Sequence, residues 1–496
     1  MTKKCIIEVN DQVNCKLHNL ELSTKRRLTK LFSYEVPGAR CQPAVKLGRW
    51  DGKVSFFTSA GNTYINLLPE ILTVLDEEMY DIDLLDNRDY RTAFEFTPIT
   101  EELFAHKNWP TGHPMGGKPI MLRDYQVEIV NKFIGDLGSM VEASTGAGKT
   151  LLSAALSYVV EPYGRTIIIV PNENLVMQTE EDYLNIGLDV GVFYGKRKDY
   201  NKTHTICTWQ SLNSLLKQTE AGTADILIQD FIEGVVCVMV DEVHGLAADK
   251  LKQLMTTTFA KVPIRWGFTG TIPKEKINYT SLKVCLGEVI HKLPAKQLQD
   301  EGVLSTCNVN ILQFQDHAEF SNYQTELKYL VGNRDRMNAI SMQVLKIAKS
   351  GNTIVLVDRI EAGVLIQSAI EEANKTLDSP YEVVFVSGEM KGTDRKEEYK
   401  DAAIMDNKLI IATYGVASVG INIVRLHNVV MLEPGRSYVR TIQTIGRGLR
   451  KGFDKDHVEI YDITSTCKFA KRHLTERKKY YKEAGYPFSI KQINYK

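Results

Sequence analysis

The chain has 496 residues, a formal net charge of zero at pH 7 and 43% hydrophobic residues. That length exceeds what one hydrophobic core organises, and about three domains of roughly 150 residues each are expected. Net neutrality excludes a general attraction to polyanions, so any such binding must come from where the basic residues lie.

Residues 1–97 mix short alternating strand-like runs with a basic cluster at Lys25, Arg26, Arg27 and Lys30. The Trp50-Asp51-Gly52-Lys53 turn between apolar runs predicts a hairpin. Acidic residues dominate from Asp76 to Asp89, and the Pro- and Gly-rich stretch that follows marks a linker over 98–117. Beyond it, apolar runs rich in β-branched residues alternate with helical segments: Thr166 to Val170, Val235 to Val240, Thr353 to Val357, Val383 to Val386, Leu409 to Thr413, Val429 to Leu432 and Val458 to Tyr461. Continuous apolarity predicts strands buried on both faces, as in parallel sheets covered by helices. Two α/β domains follow, 118–298 and 299–465, with the joint around Ala295 to Thr306. A basic, tyrosine-containing tail over 466–496 is expected to be a helix with a short extended end.

Ala143-Ser-Thr-Gly-Ala-Gly-Lys149-Thr150 follows apolar residues and opens a helix-forming run, Leu151 to Val160. Backbone N–H groups of Thr145, Gly146, Ala147 and Gly148 suit a phosphate cradle, with Lys149 reaching the β- and γ-phosphates and the Thr150 hydroxyl on Mg2+. Alone, such a loop leaves kinases, GTPases, transporters and motors open. Val235–Val240 runs into Asp241-Glu242-Val243-His244, placing two carboxylates at a strand's C-terminal end, where α/β sheets bind ligands. Asp241 is the candidate Mg2+ ligand and Glu242 the group that positions or deprotonates a water. An acidic pair there is often a helix cap, but its place after a phosphate loop favours chemistry. Upstream, Arg123 and Gln126 open a helix, and a glutamine amide can pair with adenine N6 and N7, which favours ATP. Far downstream, Gln443-Thr-Ile-Gly-Arg447-Gly-Leu-Arg450 offers two arginines suited to stabilise phosphoryl charge from a second lobe, with Gln443 near the γ-phosphate.

With those residues in hand, the chain from roughly 118 to 465 resembles a superfamily 2 helicase. Val170-Pro171-Asn172 with Gln178 resembles motif Ia, Thr208-Trp209-Gln210 motif Ib, and Thr269-Gly270-Thr271 the coupling motif III, with threonine where alanine is usual in the family. Val386-Ser387-Gly388 resembles the strand-binding element after motif IV. Ala412-Thr413 with Gly420 and Asn422 resembles motif V, and Gln443 to Arg450 motif VI. More narrowly, Phe32 to Tyr34, Gly38, Pro43 and Gly48-Arg49-Trp50-Asp51-Gly52-Lys53 resemble the accessory domain of the UvsW-type helicases of tailed bacteriophages. The resemblance implies two RecA-like parallel-sheet motor domains with a small α+β N-terminal domain, ATP and Mg2+ as cofactors, and a function of remodelling forks, Holliday junctions and R-loops. It places Gly420 and Asn422 at the nucleotide.

Motor contacts in such a family go to the sugar-phosphate backbone. Pro171, Asn172, Thr208, Gln210, Ser387, Gly388 and Thr413 are the contact candidates, joined by Arg49, Trp50 and Lys53 for duplex or junction DNA. Trp209 is expected in the core, and the Lys25–Lys30 cluster reads equally well as a solvated helix face. Branched DNA is the expected partner, with RNA in R-loops admitted, no membrane, and a monomer. The leading reading is an ATP-dependent DNA helicase or branch-migrating translocase. An RNA helicase and a non-motor ATP-dependent clamp are the alternatives. The eight cysteines have no paired spacing of a zinc or redox site. With no signal-peptide pattern and no apolar run of membrane-spanning length, a cytoplasmic chain with reduced thiols is expected, in host cytoplasm if phage-encoded.

Overall fold

A computed structural model describes residues 3–89, 93–111, 115–247, 249–375, 377, 380–387, 408–417, 426–435, 437 and 456–495. Contacts divide the chain into two compact units, Met1–Glu142 with Gly148–Lys292, and Ala143–Ala147 with Leu293–Lys496.

Among the described residues the first unit contains two larger sheets and a two-stranded ribbon. Its larger sheet has the order Arg197–Asp199, Val190–Tyr194, His204–Thr208, Arg165–Val170, Val235–Asp241, Ile264–Thr269, Gly138–Ala143 and Glu288–Leu293. The neighbouring pairs from Val190–Tyr194 across to Gly138–Ala143 are parallel. Ile264–Thr269 and His204–Thr208 are buried along their whole length, as a strand covered by helices on both faces must be. Arg265 lies within this core: its guanidinium donates to Cys285 O at 2.8 Å, to Met255 O at 2.7 Å and to Phe259 O. Burial lowers its pKa to about 10, and the three carbonyls, which end two helices and a turn, compensate the desolvated charge.

A four-stranded sheet, Asn62–Tyr64, Asn14–His18, Lys3–Val9 and Tyr80–Asp86, forms the N-terminal part, with the helices Leu22–Leu31 and Leu68–Glu77 beside it in sequence. Alternation along Lys3–Val9 buries Cys5, Ile7 and Val9. The expected hairpin at Trp50–Lys53 is corrected. Lys53–Ser55 pairs antiparallel with Ser33–Glu35, and the chain between them loops out through the short helices Ala39–Cys41 and Pro43–Lys46. Gly52, at φ +76°, joins that loop to the ribbon, its carbonyl accepting from Val36 N at 2.9 Å. The stretch read as a linker is packed down: Asn131 bonds both Ile99 N and Ile99 O, and Phe104 is fully buried.

The second unit holds a parallel seven-stranded sheet in the order Glu382–Val386, Lys408–Thr413, Thr353–Val357, Asn428–Leu432, His457–Ser465, Thr306–Phe314 and Phe488–Ile493. The C-terminal residues are part of this fold. Helix Lys468–Glu483 buries Arg477 and Tyr481 against Asp462, and Phe488–Ile493 adds the edge strand beside Thr306–Phe314. All eight cysteines are free thiols, and Cys41 alone is exposed. Among the described residues no helix is long and apolar enough to cross a membrane.

Replacing Arg265 with Ala takes a donor from three carbonyls, of which Phe259 O keeps its bond from Val262 N, and removes the cation they solvate. A loss of about 3 kcal/mol or more in unfolding free energy is expected, measured as a fall in the urea midpoint.

Candidate ATP site

Three neighbouring strands of the first unit deliver the site. Asp241 ends Val235–Asp241, Thr269 ends Ile264–Thr269, and Gly138–Ala143 leads through the loop into helix Lys149–Val160. The register places Asp241 beside Phe268, and Thr269 beside Glu142, so the three C-terminal ends lie at one edge of the sheet.

Gly146 and Gly148 take left-handed backbone, φ +91° and +81°. Gly148 caps the helix, and a Cβ there would sit 2.5 Å from the Gln126 side-chain nitrogen, so only glycine fits both the backbone angle and the space. Gln126 is buried at the start of helix Asp124–Ile134, where its Oε1 accepts from Arg123 N at 3.0 Å. Arg123 is exposed and donates to the Tyr125 hydroxyl at 2.9 Å. Within Ala143–Ala147, Ala147 N donates to Ser144 O, and Ser144 N to Leu293 O, both at 3.1 Å. The Ser144 hydroxyl is buried without a partner.

Lys149 Nζ stands 3.4 Å from Glu242 Oε1, both side chains mostly shielded from solvent. The other carboxylate oxygen of Glu242 lies 3.4 Å from the Thr269 hydroxyl and 3.4 Å from His244 Nδ1. Thr269 Oγ1 accepts from Thr271 N at 3.3 Å, and its single proton has two acceptors in reach, Thr271 O at 3.0 Å and the Glu242 carboxylate at 3.4 Å. Glu242 N donates to Asp241 Oδ1 at 2.9 Å. Burial and the neighbouring Glu242 charge raise the Asp241 pKa to about 6, with Lys149 pulling the other way. Glu242 itself sits at φ +54°, a rare backbone for a residue with a Cβ.

These groups fit a nucleoside triphosphate with a divalent ion. The loop has the left-handed glycines and a lysine at the helix start, and the two carboxylates stand beside that lysine. Among the described residues no group of three or more His, Cys, Asp or Glu side chains could hold a metal unaided. A Mg2+ ion sharing phosphate oxygens needs just one or two protein ligands.

The structure thus gathers Gln126, Gly148, Lys149, Asp241 and Glu242. His244 has no role assigned from the sequence, because its contact with Glu242 depends on the turn Val243–Ala247 that bends the chain back. Gly388, Gly420, Asn422, Gln443, Arg447 and Arg450 lie outside the described residues.

The nucleic-acid candidates emerge in pairs. Thr208 is beside Val170 in register, so Pro171 and Asn172 leave the sheet next to Trp209 and Gln210. Ala412 is beside Val386, bringing Thr413 next to Ser387. Asn172 Oδ1 caps its helix by accepting from Leu175 N at 3.0 Å, and the buried Thr208 hydroxyl accepts from Ser211 N at 3.3 Å. Gln210, Arg49 and Lys53 are exposed, whereas Trp50 is partly covered and donates to Lys53 O at 2.8 Å. Of the basic helix, Arg27 is paired with Glu77 and Glu78.

Residues 119–274 match the family model described as type III restriction enzyme, res subunit, and residues 336–452 match the helicase conserved C-terminal domain. The chain is a two-lobed, ATP-hydrolysing helicase of superfamily 2. Within that class it is similar to the ATP-dependent DNA helicase uvsW of Enterobacteria phage T4, 26% identical over 484 residues and covering 93% of this chain and 90% of that protein. It is also 23% identical over 379 residues to the DNA 3'-5' helicase XPB of Kineococcus radiotolerans, covering 74% and 64%. Its fold is similar to a fragment of a putative HsdR subunit of a type I restriction enzyme from Vibrio vulnificus, with TM-score 0.58 at 16% identity over 97% of this chain and 85% of that one. The RecA-like reading of both lobes holds.

Because the folded-state pKa of Asp241 is raised, its ionisation costs the folded protein above about pH 6. Asp241→Asn removes that cost and keeps the acceptor for Glu242 N. The nucleotide-free variant should melt at least ~2 °C above wild type at pH 8, and the gain should shrink below about pH 6 and vanish by about pH 3, below the ordinary carboxyl pKa of 3.8, where the wild-type carboxyl is protonated in both states. Scanning calorimetry at the two pH values checks the sign.

Proposed function

We propose that this chain is an ATP-dependent DNA helicase or translocase that unwinds or branch-migrates forked and junction DNA in replication, recombination or repair. Similarity to a DNA helicase along nearly the full length carries the proposal. The Lys149–Glu242–Asp241 geometry supports the chemistry.

In this reading Lys149 and the Thr145–Gly148 amides bind the phosphates, and Gln126 with Arg123 faces the base. Glu242 orients the attacking water and accepts its proton, and His244 with Thr269 holds the second carboxylate oxygen. Thr150 and Asp241 would hold Mg2+, which when bound neutralises charge on the phosphate oxygens. Arg447 and Arg450 act as fingers and Gln443 lies near the γ-phosphate, so hydrolysis requires lobe closure; Gly420 and Asn422 line the nucleotide from the second lobe. The nucleic-acid track comprises Pro171, Asn172, Thr208 and Gln210 on the first lobe, and Ser387, Gly388 and Thr413 on the second. Residues 1–97 contribute Arg49, Trp50 and Lys53 to the duplex, and the protein works as a monomer.

Glu242→Gln should abolish ATP turnover while leaving nucleotide binding within a few-fold of wild type. Arg447→Ala and Arg450→Ala should each lower kcat by about 10³-fold. The substrate assignment is tested by steady-state ATP hydrolysis at fixed salt with forked DNA, linear duplex, single strand or structured RNA. Strongest stimulation by the fork is expected, and stimulation by RNA alone would overturn the DNA assignment while leaving the motor intact.

A further inference from the structure

The N-terminal sheet and the ATP-site sheet share one continuous apolar core, in which Phe56 and Ile71 belong to the same cluster as Met255 and Leu282. Polar contacts between the two parts fall on the segments that follow the site's two turns. Helix Asp249–Thr256 comes after Asp241–His244, and helix Lys276–Leu286 comes after Thr269–Thr271. Asn14 Nδ2 donates to Thr256 O at 2.9 Å, and Gln12 N to Ala260 O at 2.9 Å. Lys252 Nζ sits 4.0 Å from the centre of the Phe56 ring. On the second helix, Asn66 Nδ2 donates to Lys283 O at 2.8 Å, and the largely buried Lys283 ammonium is shared between Glu70 at 2.5 Å and Glu288 at 2.6 Å.

From Lys283 to the site the path is short and tightly packed. Leu286, about one helical turn further on, is fully buried, as is Val243. A Cβ added at Gly267 would lie 2.5 Å from Leu286 Cδ1 and 2.6 Å from Val243 Cγ1. Helix, strand and turn therefore meet without room for one methyl group, and a shift of the helix must displace the turn. Val243 is covalently next to Glu242, whose left-handed backbone is held by its surroundings rather than by its own preference.

We infer that Asn14, Asn66 and Glu70 of the N-terminal sheet region are positioning residues for ATP hydrolysis. They anchor the two helices packed against the Val243–Ala247 turn, and through it they set the Glu242 carboxylate. The N-terminal part is accordingly a component of the hydrolytic site's support, carried with the first lobe as one body. The inference rests on the reading that Glu242 acts on the attacking water.

The test uses the full chain with saturating forked DNA, comparing wild type, Asn14→Ala/Asn66→Ala, Glu70→Ala, Glu70→Gln and Glu242→Gln well below their melting temperatures. For the double variant, kcat should fall about 5- to 10-fold with KM for ATP within twofold and an unchanged far-ultraviolet circular dichroism spectrum. Glu70→Ala should lower kcat in the same sense. Glu70→Gln, which keeps an acceptor for Lys283, should retain more than half of kcat. Glu70 is about half exposed, so its variants report even if the double variant does not fold. Wild-type kcat in folded Glu70→Ala, or a change confined to KM, overturns the inference. Turnover by Glu242→Gln would instead overturn the assignment on which it rests, so the two failures are distinguishable.

Discussion

The first lobe depends on one constraint, a glutamate held in left-handed backbone at the end of a buried strand. Leaving the extended region at Glu242 costs on the order of 1–2 kcal/mol. That turn points the carboxylate toward Lys149, 3.4 Å away, instead of along the strand direction. Glycine would adopt this backbone without strain but carries no carboxylate, so the surroundings must enforce it. Val243 and Leu246 behind the residue are fully buried, and Thr269 and His244 stand at its second oxygen. Asp241 adds a further cost through its raised pKa. Both penalties are concentrated where charge must be ready for a phosphate.

The second unit contains the same device put to a different use. Glu433 follows the strand Asn428–Leu432, also has positive φ, at +44°, and also meets a cation. Here the cation is Arg336, which bonds Asp316 at 3.1 Å as well as Glu433 and is wholly inaccessible to solvent. Arg477 of the last helix donates to Asp462 and to the carbonyls of Pro434 and Gly435, fixing the chain as it leaves that turn. In the first lobe the cation belongs to a phosphate loop and keeps some exposure. In the second it is sealed inside a structural network, where burial lifts Glu433 to a pKa of about 7 while Arg336 and Arg477 pull it down.

Much of this was legible in the sequence because the ATP site is built from local patterns. Val235–Val240 has no alternation, so it had to be a central strand, and the acidic pair had to emerge at its end. Gly146, Gly148 and Lys149 carry their geometry in their residue types. Non-local pairing was less visible. Gly138–Ala143 is short and ends Val-Glu-Ala, and Phe488–Ile493 looks like an amphipathic tail until Thr306–Phe314 offers it a ladder. Trp50–Lys53 has hairpin chemistry, yet the partner of Lys53–Ser55 lies far upstream, because the intervening short helices take up the chain. The core shared by the N-terminal sheet and the first lobe has no sequence signature, since Phe56 and Met255 look like core residues of any domain.

The caps on the first lobe connect structure to the proposed substrate class. Asn172 and Thr208 use their side-chain oxygens at helix N-termini, and their strands are adjacent, so two helix starts open side by side. A helix start presents backbone N–H groups and partial positive charge, which attract phosphate without distinguishing bases. With those side-chain oxygens committed within the protein, recognition on the proposed track falls to backbone amides and to exposed groups such as Gln210. A motor that must step past every sequence needs contacts of that kind, which read the regular spacing of phosphates and ignore the bases between them.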